Sequence, residues 1–217
     1  MILWRDDRVV AVDKPAGMIV HRGWADDDEP LLQTVRDLVG TLVFPIHRLD
    51  RGASGVVLFA LDRDAASVLG KAIAAGDGFD KRYVAITRGH PPEHAVIDHA
   101  IPKEPGGERL AAVTEIWRRD VFGRYALVEC APRTGRLHQI RRHLKHISCP
   151  IIGDVRYGKG EHNRIWREAH GLHRLALHAS RLTFPHPATG AAITVEAPLP
   201  DDLVRAVASA RATYVLT

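Results

Sequence analysis

The carboxylate best placed for chemistry is Asp50. It lies in His47-Arg48-Leu49-Asp50-Arg51-Gly52-Ala53-Ser54-Gly55, between Arg48 and Arg51 and just ahead of the apolar run Gly55-Val56-Val57-Leu58-Phe59-Ala60. Neighbouring cations keep a carboxylate ionised and available as a nucleophile or base. A loop feeding a rigid element is a common mount for such a group. The competing reading is a surface Arg–Asp turn, where Gly and Ser are routine. Residue types alone do not choose between the two.

A second cluster is Arg133-Thr134-Gly135-Arg136-Leu137-His138-Gln139-Ile140-Arg141-Arg142-His143-Leu144. Thr134 is the predicted N-cap, and a helix N-terminus after it can take an anion. Helical spacing spreads positions 138, 141 and 142 over adjacent faces, with Arg141 inward and Arg142 toward solvent or RNA. The alternative is an amphipathic basic helix with no partner. Tyr83, in Lys81-Arg82-Tyr83, reads by itself as a strand tyrosine packed in the core.

Several function classes find no support. Thirteen histidines raise the question of a metal, but His138, His143 and His146 have no acidic or cysteine neighbour to complete a familiar ligand set; no metal is expected. No phosphate-binding or dinucleotide glycine motif occurs, and no Gly-x-Ser-x-Gly elbow. Cys130 and Cys149 fit neither a zinc half-site nor a disulfide framework and are read as two buried free thiols. No stretch nears the roughly 20 apolar residues of a membrane span. Charges stand at Arg5-Asp6-Asp7, where a signal peptide would be apolar. The expectation is a cytoplasmic protein with no membrane partner.

The net charge of +4 and pI near 9.3 are only mildly basic. The distribution says more. Between Arg133 and Arg181 eleven Lys and Arg face Asp154, Glu161 and Glu168 alone, and the rest of the chain is net acidic. Such a block attracts polyanions, since phosphate neutralisation by Lys and Arg drives nucleic-acid affinity. A solvated charged face is the plainer alternative.

The elements that must position these groups are mostly strands. Arg8–Asp13 reads as a strand, Lys14–Gly17 as a turn and Met18–His21 as a second strand. Leu31–Leu42 has helical spacing and Gly40 as a stop; Gly55–Ala60 suits a central strand; Asp64–Ala75 is a helix with Asp64 near its N-cap. Arg82–Thr87, Ala112–Trp117 and Tyr125–Cys130 are predicted strands, and Leu137–His146 a helix whose apolar stripe is Leu137, Ile140, Leu144 and Ile147. Ala179–Phe184 and Ala192–Glu196 flank His186-Pro187-Ala188-Thr189-Gly190 as a hairpin. The fold class is α+β, a mixed and mostly antiparallel sheet with flanking helices and loops.

In their order these segments resemble the RluA-type family of pseudouridine synthases. Asp13-Lys14-Pro15-Ala16-Gly17 with Val20-His21 is similar to the family's first motif, and His47-Arg48-Leu49-Asp50 with Ser54-Gly55 to its catalytic motif. Lys81-Arg82-Tyr83-x-Ala85 and Arg133-Thr134-Gly135-Arg136-x-His138-Gln139-Ile140-Arg141 are similar to the third and fourth. Pro150-Ile151-Ile152-Gly153-Asp154 and Leu177-His178-Ala179 complete the series.

The resemblance implies a single catalytic domain over residues 1–217 with the pseudouridine synthase fold and no S4-like N-terminal domain. It implies that Asp50 acts at the ribose of a target uridine, either by adding to C1′ or by assisting glycal formation. Tyr83 would pack against the uracil and help remove the C5 proton, Arg141 would pair with the aspartate, and Arg48 would fill the gap left by the base. Flipping is required because C1′ and C5 are out of reach in a stacked base. Arg133, Arg136, His138, Arg142 and Lys145 would contact RNA. The reaction exchanges an N–C bond for a C–C bond without redox change, so no cofactor is implied. Two positions depart from the family: Ala53 replaces a usual threonine, and Leu137 a small or polar residue.

His21-Arg22-Gly23-Trp24, Gln33-Thr34-Val35-Arg36-Asp37, His143-Leu144-x-His146, Asn163-Arg164 and Gly171-Leu172-x-Arg174-Leu175 are similar to the branch that modifies uridine 65 of tRNA. The expected partner is therefore tRNA, bound by a monomer. An rRNA uridine as substrate, or a catalytically inactive RNA-binding protein, are the alternatives.

Overall fold

The computed structural model describes residues 1–21, 30–104 and 106–214. In chain order the elements are β1 (Ile2–Arg5), β2 (Val9–Lys14), α1 (Leu31–Val39), β3 (Phe44–Pro45), β4 (Ser54–Ala60), α2 (Arg63–Ala75), β5 (Asp80–Arg88) and β6 (His94–Asp98). They continue with β7 (Ile101–Pro102), β8 (Arg109–Leu110), β9 (Val113–Phe122), β10 (Tyr125–Pro132), α3 (Gln139–His146), α4 (Gly160–His170), β11 (Leu177–Pro185), β12 (Ala192–Glu196) and α5 (Asp201–Tyr214). The class is α+β with mostly antiparallel strand pairing. The chain divides into two compact units, Met1–Lys81 with Ala179–Pro198, and Arg82–His178 with Leu199–Thr217.

In the first unit β2 is the spine. It pairs antiparallel with β1 on one side and β4 on the other, with Lys14 opposite Gly55. β4 is buried at all seven positions, as a strand covered on both faces must be. β11 and β12 form the expected hairpin. Val9, Ala11, Val56, Leu58, Leu69, Leu182 and Phe184 make one core, against which Trp4, Ile46 and Phe79 pack. Gly55 has φ +111, and a Cβ there would collide with the Ala179 backbone carbonyl. No other residue type lets these two backbones meet.

Two expectations for this unit change. Met18–His21 forms no strand, because its carbonyls are used elsewhere: Met18 O by Lys14, and Ile19 O and Val20 O by the amides of Leu31 and Leu32 at the start of α1. Helix α2 is capped by Asp62, whose carboxylate accepts from Ala65 N at 2.8 Å, so Asp64 sits inside the first turn. Gly40 does end α1, in the left-handed conformation. Of the segment His21-Arg22-Gly23-Trp24, residues Arg22 to Trp24 lie outside the described residues.

The second unit is built on β10, paired with β5 on one side and β9 on the other, with β6 beyond β9. Helices α4 and α5 pack on this unit. Trp166, fully buried, meets Tyr125 edge-on at 5.1 Å, and the Tyr125 hydroxyl hydrogen-bonds His162 Nδ1 at 3.0 Å. Cys130 and Cys149 are buried free thiols, and burial raises both their pKa values.

Candidate active site

Asp50 lies between β3 and β4 in the first unit, and the geometry around it is made by main chain. Ala53 N donates to Asp50 O at 3.0 Å, closing a tight turn over Arg51-Gly52. Gly17 N donates to Arg51 O at 2.8 Å, and Arg51 Nε returns a bond to Gly17 O at 3.0 Å. Beneath this pair lies Lys14, wholly buried. Its ammonium donates to Pro15 O (2.9 Å), Met18 O (2.7 Å) and Arg51 O (3.3 Å). A buried cation needs such partners, since leaving water without them costs several kcal/mol or more. Lys14 thus ties the first motif to the residue beside Asp50. The sequence carried a signal for it: a lysine closing the strand that opens with the apolar run Val9–Val12.

The other end of the segment is held by His47. Its Nε2 accepts the Leu58 amide of β4 at 3.2 Å. Burial, then the nearby Lys81 charge, push the His47 pKa down to about 3, against the Arg48 backbone hydrogen bond. The ring is therefore neutral, which acceptance by Nε2 requires. Burial also lowers the Lys81 pKa. Leu49 is buried and Arg48 exposed, so alternate side chains of the segment face core and solvent. Ala53 is buried at 1 % exposure, where a larger side chain would press on the core.

Tyr83 is half-buried on β5 of the second unit, opposite Cys130 of β10. Arg82 beside it lies over the Trp117 ring at 4.8 Å and meets Glu129 at 3.4 Å.

Arg141 faces inward as expected, at 8 % exposure, and makes a two-pronged ion pair with Asp154: Nε to Oδ2 at 2.7 Å and Nη2 to Oδ1 at 2.9 Å. Asp154 Oδ1 also accepts the amides of Arg156 and Tyr157, each at 2.9 Å. Burial works to raise the Asp154 pKa, but the Arg141 bonds, those two amides and the Arg141 charge hold it below the usual carboxylate value. Asn163 of α4 braces the turn, accepting from Gly153 N and donating to Asp154 O. Gly153 (φ +77) presses on the Arg174 carbonyl so closely that a Cβ would not fit. In the sequence Asp154 and Asn163 stand out only as motif members, and their bracing role is not legible there because no spacing rule links residues 141, 154 and 163.

The basic cluster is arranged differently from the sequence expectation. Helix α3 begins at Gln139, after a His138 in the left-handed conformation (φ 54), and has no side-chain cap. Thr134 is not the N-cap: its hydroxyl donates to Gln139 Oε1 at 2.6 Å and accepts Val113 N at 3.1 Å. Leu137 precedes the helix and is 53 % exposed, so the apolar stripe is Ile140 and Leu144 without it. Arg133 is exposed but paired with Glu115 at 2.6 Å; Arg136 Nε donates to Ala111 O; Arg142 donates to Pro102 O and is only half-exposed. Lys145 is exposed, and His138 hydrogen-bonds the Tyr157 hydroxyl through Nδ1 at 3.1 Å.

The cationic block is weaker than its composition. Arg133 pairs with Glu115, Arg174 with Asp202 and Arg181 with Asp80, all acids outside the block, besides Arg141 with Asp154. Among the described residues no group of three His, Cys, Asp or Glu side chains could hold a metal ion, and no helix is long and apolar enough to cross a membrane.

Residues 8–146, which include Lys14, Asp50, Tyr83 and Arg141, match the sequence model of the RNA pseudouridylate synthase family. The chain belongs to that family. Among its relatives in the RNA pseudouridylate synthase family, the tRNA pseudouridine synthase C of Vibrio parahaemolyticus is 40% identical over 223 residues, covering 92% of this chain and 90% of the relative. The tRNA pseudouridine synthase C of Haemophilus ducreyi is 42% identical over 218 residues, covering 90% and 89%. Of solved structures, human RNA pseudouridylate synthase domain containing 4 matches with a TM-score of 0.80 at 28% identity, over 97% of this chain and 92% of that one. The α+β pseudouridine synthase fold expected from the sequence is the fold observed.

Proposed function

We propose that this RNA pseudouridylate synthase isomerises a uridine of tRNA, at position 65, to pseudouridine. The observation that carries the reading is the identity of about 40% with enzymes named tRNA pseudouridine synthase C over nine-tenths of both chains. Asp50 acts at the ribose of the flipped nucleotide, and its turn is held by Lys14 and His47. Tyr83 packs on the uracil and assists loss of the C5 proton, and Arg141 orients the Asp50 carboxylate while Asp154 orients Arg141. Exposed Arg48 occupies the space of the flipped base. The N1–C1′ bond breaks, the C5–C1′ bond forms, the C5 proton leaves and N1 gains one, so the step balances without a redox partner. Arg133, Arg136, His138, Arg142 and Lys145 supply contacts to the RNA, acting as a monomer in the cytoplasm.

The test is to map pseudouridine in RNA from cells with and without the gene, and with Asp50→Ala in its place. The expected result is loss of one tRNA pseudouridine in both the deletion and the variant, with RNA affinity of the purified variant nearly unchanged. Pseudouridine patterns identical in all three strains would overturn the reading. Loss of an rRNA pseudouridine instead would move the substrate.

A further inference from the structure

Arg156 and Tyr157 of the second unit have no part in this chemistry. Three cations converge on the ring of Tyr157: Arg141 at 5.1 Å, Arg156 at 5.5 Å and Lys145 at 5.9 Å from its centroid. The Arg141 charge is matched by Asp154. Lys145 and Arg156 are exposed, and among the described residues neither meets a carboxylate. Each cation–π contact at such a site is worth about 0.5–1 kcal/mol, and like charges drawn to one ring repel. The arrangement therefore gains little for folding.

It is nonetheless built with care. Arg156 and Tyr157 follow Asp154, whose carboxylate takes both their amides while gripping Arg141 on α3. Lys145 stands one helical turn beyond Arg141 on that helix. His138 fixes the Tyr157 hydroxyl. Asp154 thus sets the turn carrying Arg156 and the helix carrying Lys145 against a single ring, leaving two positive charges beside it with no counter-charge among the described residues.

We propose that Lys145 and Arg156, presented on the ring of Tyr157, form a docking point for a backbone phosphate of the RNA substrate. The inference rests on the proposed RNA-modifying function. Arg156 and Tyr157 enter it from their geometry alone, and Asp154 gains a second task, holding the docking point in register with Arg141. A phosphate between the two cations supplies the missing counter-charge, and its binding releases counterions from the RNA.

The test uses the whole chain and an unmodified tRNA transcript, with equilibrium binding measured at several salt concentrations and pseudouridine formation followed alongside. Lys145→Ala with Arg156→Ala is expected to weaken binding on the order of tenfold at moderate salt and to reduce the slope of log affinity against log salt by about one. A second probe avoids any folding cost. Val155, next to Arg156, is 95% exposed and packs on nothing. Val155→Asp is expected to weaken binding and Val155→Lys to strengthen it, with unchanged thermal stability. Arg63→Ala, which removes one exposed cation of the first unit and so matches the charge change of Val155→Asp, is the control and should leave the slope unchanged.

If the wild type binds tRNA and makes pseudouridine while these variants keep its affinity and slope, the docking point is refuted and the enzyme reading stands. If the wild type binds no RNA, both fall. A change in stability without a change in salt slope would mean the cations serve packing alone, which also refutes the proposal.

Discussion

Asp154→Asn is the sharpest probe of how the second unit holds its buried arginine, Arg141. The substitution keeps the shape and leaves an oxygen for the amides of Arg156 and Tyr157, but removes the charge facing Arg141. Both partners are out of water: the Arg141 side chain is 10% exposed and that of Asp154 0%. Breaking a buried pair by removing one partner costs about 3–5 kcal/mol, because the other charge stays buried and unmatched. For a chain of this size about 1 kcal/mol moves Tm by roughly 2–4 °C, so a drop of about 6–20 °C is expected by calorimetry or circular dichroism. The double variant Arg141→Met with Asp154→Asn should recover much of that loss, since no isolated charge remains. Its turnover should stay low, because the arginine is gone. The reasoning is refuted if Asp154→Asn costs less than about 1 kcal/mol, or if the double variant is destabilised by the sum of the two single changes.

Other outcomes follow from the same geometry. His47, with a folded pKa of about 3 against 6.5 when unfolded, contributes stability that is fully present above pH 6.5 and lost as pH falls toward 3. One pH unit below 6.5 the loss is about 1.4 kcal/mol. Burial lowers His143, His162 and His170 in the same direction, so urea melts at pH 7.5 and 5.5 should show a clear fall that His47→Gln partly flattens. Gly55→Ala should destabilise by about 3 kcal/mol or more, from positive-φ strain and the collision with Ala179 together, as read by denaturant midpoint; a midpoint equal to wild type would contradict the placement of β4. Wild-type tRNA affinity should fall steeply between low and moderate salt, and a flat curve would remove the cationic surface from the binding account.

How far the sequence could be read depends on the range of the interaction. Asp50 in its flanking arginines, the apolar run Gly55–Ala60 of β4, the Gly40 stop and the β11–β12 hairpin are local signals, and each appears where the residues placed it. Helix α5 has Leu203, Ala206, Val207 and Ala210 on its buried face, a periodic signal present in the sequence. Helix α4 was harder, because its buried positions are His162, Trp166 and His170, and two histidines do not read as an apolar stripe. Thr134 looked like a cap until Gln139 and the Val113 amide claimed its hydroxyl. The cationic block looked stronger than it is because Glu115, Asp80 and Asp202 are distant in sequence and adjacent in space.

Lys14 bears on which substitutions the protein tolerates. Its bonded oxygens at Pro15, Met18 and Arg51 are all main-chain carbonyls. A main-chain carbonyl is the same whatever side chain its residue carries, so Pro15 and Met18 can drift in identity without weakening this anchor, whereas Arg51 also holds Gly17 O through its own Nε. The lysine has no such freedom, since a shorter or neutral side chain abandons all three oxygens at once. The support of the turn beside Asp50 therefore tolerates change at Pro15 and Met18 and is fragile at Lys14, a residue 36 places before Asp50 in the chain.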